Sequence, residues 1–165
     1  MGAITQTKLM VADEVWIAAA LLHREQPERA DFAIDEIVGR ARKENLVGHL
    51  RPGVYVHVVQ HCVANRRADP GRYRMLYETS RGRRRLFRHG DAYHSSREGS
   101  KITPESGALP NEYAELLSWY REWSSRSAAS GAESDLLMAL AGSGLHLWAG
   151  ERPDDYVRRL REGWE

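Results

Sequence analysis

The sequence predicts an α+β fold, mainly α: three helices, a basic β-hairpin, one extra helix, and an extended or helical C-terminal tail. Three observations predict it. Apolar residues recur at helical spacing over residues 13–25 and 34–45. A strand-like alternation over Tyr73–Thr79 runs into a glycine-bearing turn and returns. Segment 66–89 carries nine arginines against Asp69 and Glu78, a net +7 in a chain whose total is +1. The remainder therefore sums to −6, and charge placed so unevenly asks for an anionic partner.

In the first helix Val15, Ala18, Ala19 and Leu22 fall at i, i+3, i+4 and i+7, widened by Trp16 and Ala20. Asp13 is the expected cap, and Pro27 marks the exit. The second helix repeats the spacing with Ile34, Ile37, Val38 and Ala41, and ends at Asn45 and Gly48. Residues 53–65 are ambiguous. Four valines within 54–59 favour a strand, whereas Pro52 suits the first position of a helix. Read as a helix, the segment gives an apolar face of Val58, Val59, Cys62 and Val63, and a polar face of His57, Gln60, His61 and Asn65. A different phase turns Tyr55 and Val56 outward.

The hairpin follows, with Tyr73, Met75 and Tyr77 on one side, a turn at 80–83 in which Gly82 takes positive φ, and a return over Arg84–Arg88. Residues 89–110, rich in Gly, Ser, Pro and His, read as loop. Pro110 opens a helix through about Trp123, with Tyr113, Leu116, Leu117 and Tyr120 on one face. Domain organisation follows: 1–123 as the folded domain, 124–134 (SSRSAASGAES) as a flexible linker, and 135–165 as a partner-binding tail.

Helix, helix, helix, basic hairpin over roughly residues 11–94 resembles a winged helix-turn-helix domain. The stretches VHVVQHCVAN and GRYRMLYET are similar to bacterial winged-helix modules to which no activity is attached. The resemblance implies double-stranded DNA as partner, with the third helix as the reading element. His57, Gln60, His61 and Asn65 are then candidates for base or phosphate contacts, since Gln and Asn pair bidentately with adenine. Arg66, Arg72, Arg74, Arg81, Arg83, Arg84, Arg85 and Arg88 are candidates for phosphate contacts, through charge and paired hydrogen bonds. RNA or an acidic protein would satisfy the same charge. So would acidic helices of the chain itself, leaving the hairpin a solvated one.

Enzymatic chemistry is not expected. GxSxG, GxxxxGK[ST] and HExxH are all missing from the sequence. His57 and His61 stand at i, i+4, but Cys62 lies about 100° further around the helix and no CxxC exists, so neither metal nor cofactor is expected. Asp91 and His94, two loop residues, are a weak nuclease pair. With one cysteine, no stretch of ~20 apolar residues and no secretory signal, a cytoplasmic protein without membrane contact is the expectation.

The C-terminal stretch LLMALAGSGLHLWAGERPDDYVRRLREGWE, residues 136–165, resembles the toxin-binding tails of VapB-type antitoxins, whose toxins are PIN-domain ribonucleases. The matching residues are Gly-Ser-Gly at 142–144, Leu147-Trp148, Asp154-Asp155, Tyr156 to Arg161, and Gly163-Trp164. Gly150 and Arg152 depart from the pattern, and the front domain is neither the swapped-hairpin nor the ribbon-helix fold usual in such antitoxins. The resemblance implies an antitoxin-like autorepressor, compatible with a homodimer. Its partner-binding residues would be Leu147, Trp148, Tyr156, Val157, Arg158, Arg159, Leu160 and Trp164. Two other functions suit the same features: an accessory nucleic-acid-binding module of a nuclease or restriction system, and a protein-interaction module with a structural tail.

Overall fold

The computed structural model describes residues 8–126; the linker beyond Arg126 and the tail lie outside them. Helix α1, Val11–Glu25, is buried from Ala12 to Leu22 and on through His23. A helix covered on every side needs small residues where neighbours come close, and Ala18, Ala19 and Ala20 provide them. Its cap is Met10, not Asp13. Asp13 sits three positions inside the helix and accepts the Met10 N–H through Oδ2 at 3.1 Å. Helix α2, Ile34–Glu44, starts the same way, with Glu36 accepting the Ala33 N–H at 2.8 Å. In both cases a carboxylate in the first turn meets the positive end of the helix dipole. Asn45, at φ 50°, ends α2 in the left-handed conformation.

Between α1 and α2 lies a two-residue strand, β1, Phe32–Ala33, too short to leave a periodicity in the sequence. Helix α3, Gly53–Val56, continues as a π-helical turn, His57–His61, so the helix stops four residues before Asn65. Valine content argued for a strand here, but Val54, Val58 and Cys62 form a buried i, i+4, i+8 stripe, and packing decides. The hairpin is β2, Leu76–Ser80, and β3, Arg83–Leu86. β2 starts at Leu76, because residues 73–75 bond to the end of the third helix and to the following loop instead. The sheet order is β1-β3-β2, antiparallel throughout, with a bulge between Glu78 and Ser80. Gly82 takes φ 76° in the turn.

After a loop containing the 3-10 turn Ser95–Arg97, a second 3-10 turn, Asn111–Tyr113, leads into helix α4 at 115–126. Leu116 and Tyr120 are buried against Trp16, with Tyr113 and Leu117 packed beside the core. Ser124 is buried within α4, its Oγ accepting the His89 N–H, so the helix continues past the expected start of the linker. No helix among the described residues is long and apolar enough to cross a membrane.

Candidate nucleic-acid interface

A helix leaves its last four carbonyls without intrahelical donors, and these lie at the negative end of its dipole. Two fully buried arginines serve the third helix in that role. Arg84 donates through Nε to the Val58 carbonyl at 3.1 Å and through Nη2 to Val59 at 3.3 Å. Arg97 donates to Gln60 and His61 at 2.7 and 2.6 Å, and also to Tyr73, Arg66 and Arg67. Burial pushes both guanidinium pKa values down, although arginine stays charged in proteins. Arg84 also meets Glu78 at 3.2 Å. Two cations thereby fasten the helix end to the hairpin and to the loop at 95–97.

Most of the other hairpin arginines are engaged as well. Arg66 holds Glu78 through two hydrogen bonds of 2.7 and 2.8 Å, which lower the Glu78 pKa. Arg83 reaches Asp31 at 2.6 Å; the carboxyl of Asp31 also accepts from the Thr79 hydroxyl, and that bond leads in holding it below its ordinary range. Arg85 pairs twice with Asp91 and lies over Tyr77. Arg74 donates to the Ser100 carbonyl and lies over Tyr93 at 4.3 Å. Arg88 lies over Trp123 at 4.5 Å, its buried Nε without a hydrogen bond among the described residues. Many of these arginines thus have partners inside the fold, although only Asp31 and Asp91 come from outside the segment, which brings its +7 to +5. Arg67, Arg72 and Arg81 are the exposed members of the nine, and none has an ion-pair partner among the described residues.

Three of the four candidate reading residues form hydrogen bonds within the fold, although Asn65 is exposed. His57 Nδ1–H donates to the Gly53 carbonyl at 2.8 Å, and burial lowers the pKa of this ring. His61 stands edge-on to His57 at 4.9 Å. Its Nδ1 is buried without a hydrogen-bond partner among the described residues, and Gly71 packs against the ring. Gln60 donates to the Arg67 carbonyl at 2.6 Å. Asn65 closes a pair of 2.9 Å bonds with the backbone of Glu78. The outward side chains of the helix are instead Tyr55, 54 % exposed, and Val56, 44 % exposed.

Sequence reasoning missed Arg97 entirely, because a lone arginine in a Ser- and Gly-rich loop carries no pattern. It also left Arg67 off the contact set. Among the described residues no group of three or more His, Cys, Asp or Glu is placed to hold a metal. Cys62 is buried, which pushes its thiol pKa up and away from nucleophilic chemistry. The expected contacts of Leu147, Trp148, Tyr156, Val157, Arg158, Arg159, Leu160 and Trp164 lie outside the described residues. Comparison with family models, with curated proteins and with solved structures returns no match.

Proposed function

We propose that the chain is a winged-helix DNA-binding protein whose C-terminal segment binds a partner protein, as in an antitoxin-type autorepressor. The observation that carries the DNA-binding half is the order of elements. Helix, short strand, helix, helix and hairpin, with the short strand pairing to the second hairpin strand, is the element order of a winged helix, in which the third helix and the hairpin would stand side by side. That arrangement supports a helix in the major groove with a flanking wing. Arg67 and Arg72 border the end of the third helix, and Arg81 is exposed in the hairpin turn. Contacts from these arginines would go chiefly to phosphate and would position the protein rather than select a sequence. Arg66 and Arg83 sit in partly exposed ion pairs of the kind worth about 0–1 kcal/mol, so phosphate can compete for them.

The partner-binding half rests on the resemblance of residues 136–165 and on their apolar anchors Leu147, Trp148, Tyr156 and Trp164. The full chain should bind a labelled random-sequence duplex with an affinity that falls steeply with salt. A chain ending at residue 134 should keep that binding and lose inhibition of a PIN-domain ribonuclease encoded beside it. No duplex binding at low salt refutes the first half; inhibition unaffected by the truncation refutes the second.

A further inference from the structure

Tyr55 and Val56 are the two large apolar side chains that the third helix turns outward, and the described residues leave about half of each exposed. Val54 and Val58 already supply the helix with its inward anchors. An exposed Tyr-Val pair in the middle of a nine-residue helical segment adds nothing to the core. Its setting is electrostatically one-sided. From Asn45 to Ala68 the chain holds no Asp or Glu, and α3 lies near the middle of that stretch. At its C-terminal end stand Arg67, whose carbonyl the Gln60 amide holds, and Arg72, next to the glycine packed on His61. Neither arginine has an ion-pair partner among the described residues. One helical turn with two apolar side chains is also a small patch beside the ~800 Å² per partner of a stable protein interface. An apolar pair on a helix with exposed cations at its C-terminal end fits a surface that is anionic at its rim and apolar at one point on its floor. The thymine 5-methyl group is the one apolar feature that the major groove displays.

Resting on the DNA-binding reading above, we infer that Tyr55 and Val56 are the base-reading residues of the third helix, and that they select thymine-containing steps by contact with the 5-methyl group. The amides of Gln60 and Asn65 are committed to backbone partners, so apolar contact takes the place of hydrogen-bonded readout.

The test selects duplexes from a random library with the full chain, then resynthesises the preferred duplex with deoxyuridine replacing thymine one position at a time. Removing a contacted methyl should weaken binding about fourfold, as for loss of one methylene-sized contact. Tyr55→Ala/Val56→Ala, a change at exposed positions that should leave folding intact, should bind the thymine and deoxyuridine duplexes equally and retain its salt-dependent affinity. Tyr55→Phe should retain the discrimination. Equal binding of both duplexes by the wild type overturns this inference while leaving the DNA-binding reading in place. Absence of binding to any duplex overturns both. A wild-type dimer that the double substitution converts to monomer, with unchanged sequence preference, assigns the patch to a second copy of the chain and overturns the inference.

Discussion

Arg97→Ala is the most informative single change in the fold. The guanidinium has five N–H donors, and Arg97 directs them at five carbonyls, four of them at 2.6–2.7 Å. Three of these acceptors keep another donor after truncation: Gln60 from Val63 N–H, His61 from Tyr73 N–H, and Arg67 from the Gln60 amide. The carbonyls of Arg66 and Tyr73 have no second protein donor among the described residues. Leaving a buried polar group unsatisfied costs about 1–3 kcal/mol, so two give roughly 2–6 kcal/mol. Relief of guanidinium desolvation and entry of water work the other way. The expected loss is about 3–5 kcal/mol, inside that range. For a domain of this size ~1 kcal/mol moves Tm by about 4 °C, so Tm should fall by about 12–20 °C. Arg97→Lys places three donors at one point instead of a planar fork and should recover less than half of the loss. Urea and thermal unfolding of the two variants against wild type measure this directly. A loss under about 1 kcal/mol for Arg97→Ala would refute the reasoning.

Other outcomes follow from the same packing. His23 is buried with Nε2 accepting the Leu86 N–H, and burial, followed by the charges of Arg88 and Arg85, lowers its pKa to about 3. The unfolded imidazole takes a proton near pH 6.5, so between those values the unfolded state holds more protons; stability should fall on acidification below about pH 6.5, by up to ~1.4 kcal/mol per pH unit. Urea midpoints at several pH values should show a shallower slope for His23→Gln, and equal slopes would contradict this. Gly71→Ala would place a Cβ 2.6 Å from both Cβ and Cγ of His61, so it should lose about 1–3 kcal/mol in urea unfolding. Gly82→Ala has open space but strained backbone at φ 76°, and its loss should stay near 1–2 kcal/mol in the same measurement.

The helices were legible because their apolar spacing is also their packing. Ile34, Ile37 and Ala41 face the core as their periodicity indicates, and Leu116 and Tyr120 do the same in α4. Gly82 marked the hairpin turn because only positive φ closes it. β1 was not legible, since two residues carry no period and Phe32 is held by pairing with Arg84, fifty-two positions away. Capping by Met10 was hidden because the cap's own side chain takes no part in it. The arginine cluster was only half legible, for a different reason. Charge density along a chain shows where cations are, not where their partners fold to. Asp31 and Asp91 reach Arg83 and Arg85 only in three dimensions, and the acceptors of Arg84 include backbone carbonyls, which composition does not count.

Salt dependence of duplex binding tests the central claim most directly. The full chain and its Arg67→Ala/Arg72→Ala/Arg81→Ala variant, altered only at exposed arginines without ion pairs among the described residues, are titrated with one duplex at several salt concentrations. If each arginine neutralises one phosphate, the slope of log affinity against log salt should become shallower by about 0.9 per contact, roughly 2.7 in all, while thermal stability stays within about 0.5 kcal/mol of wild type. Identical slopes for the two proteins, or no duplex binding by the wild type, would contradict the account.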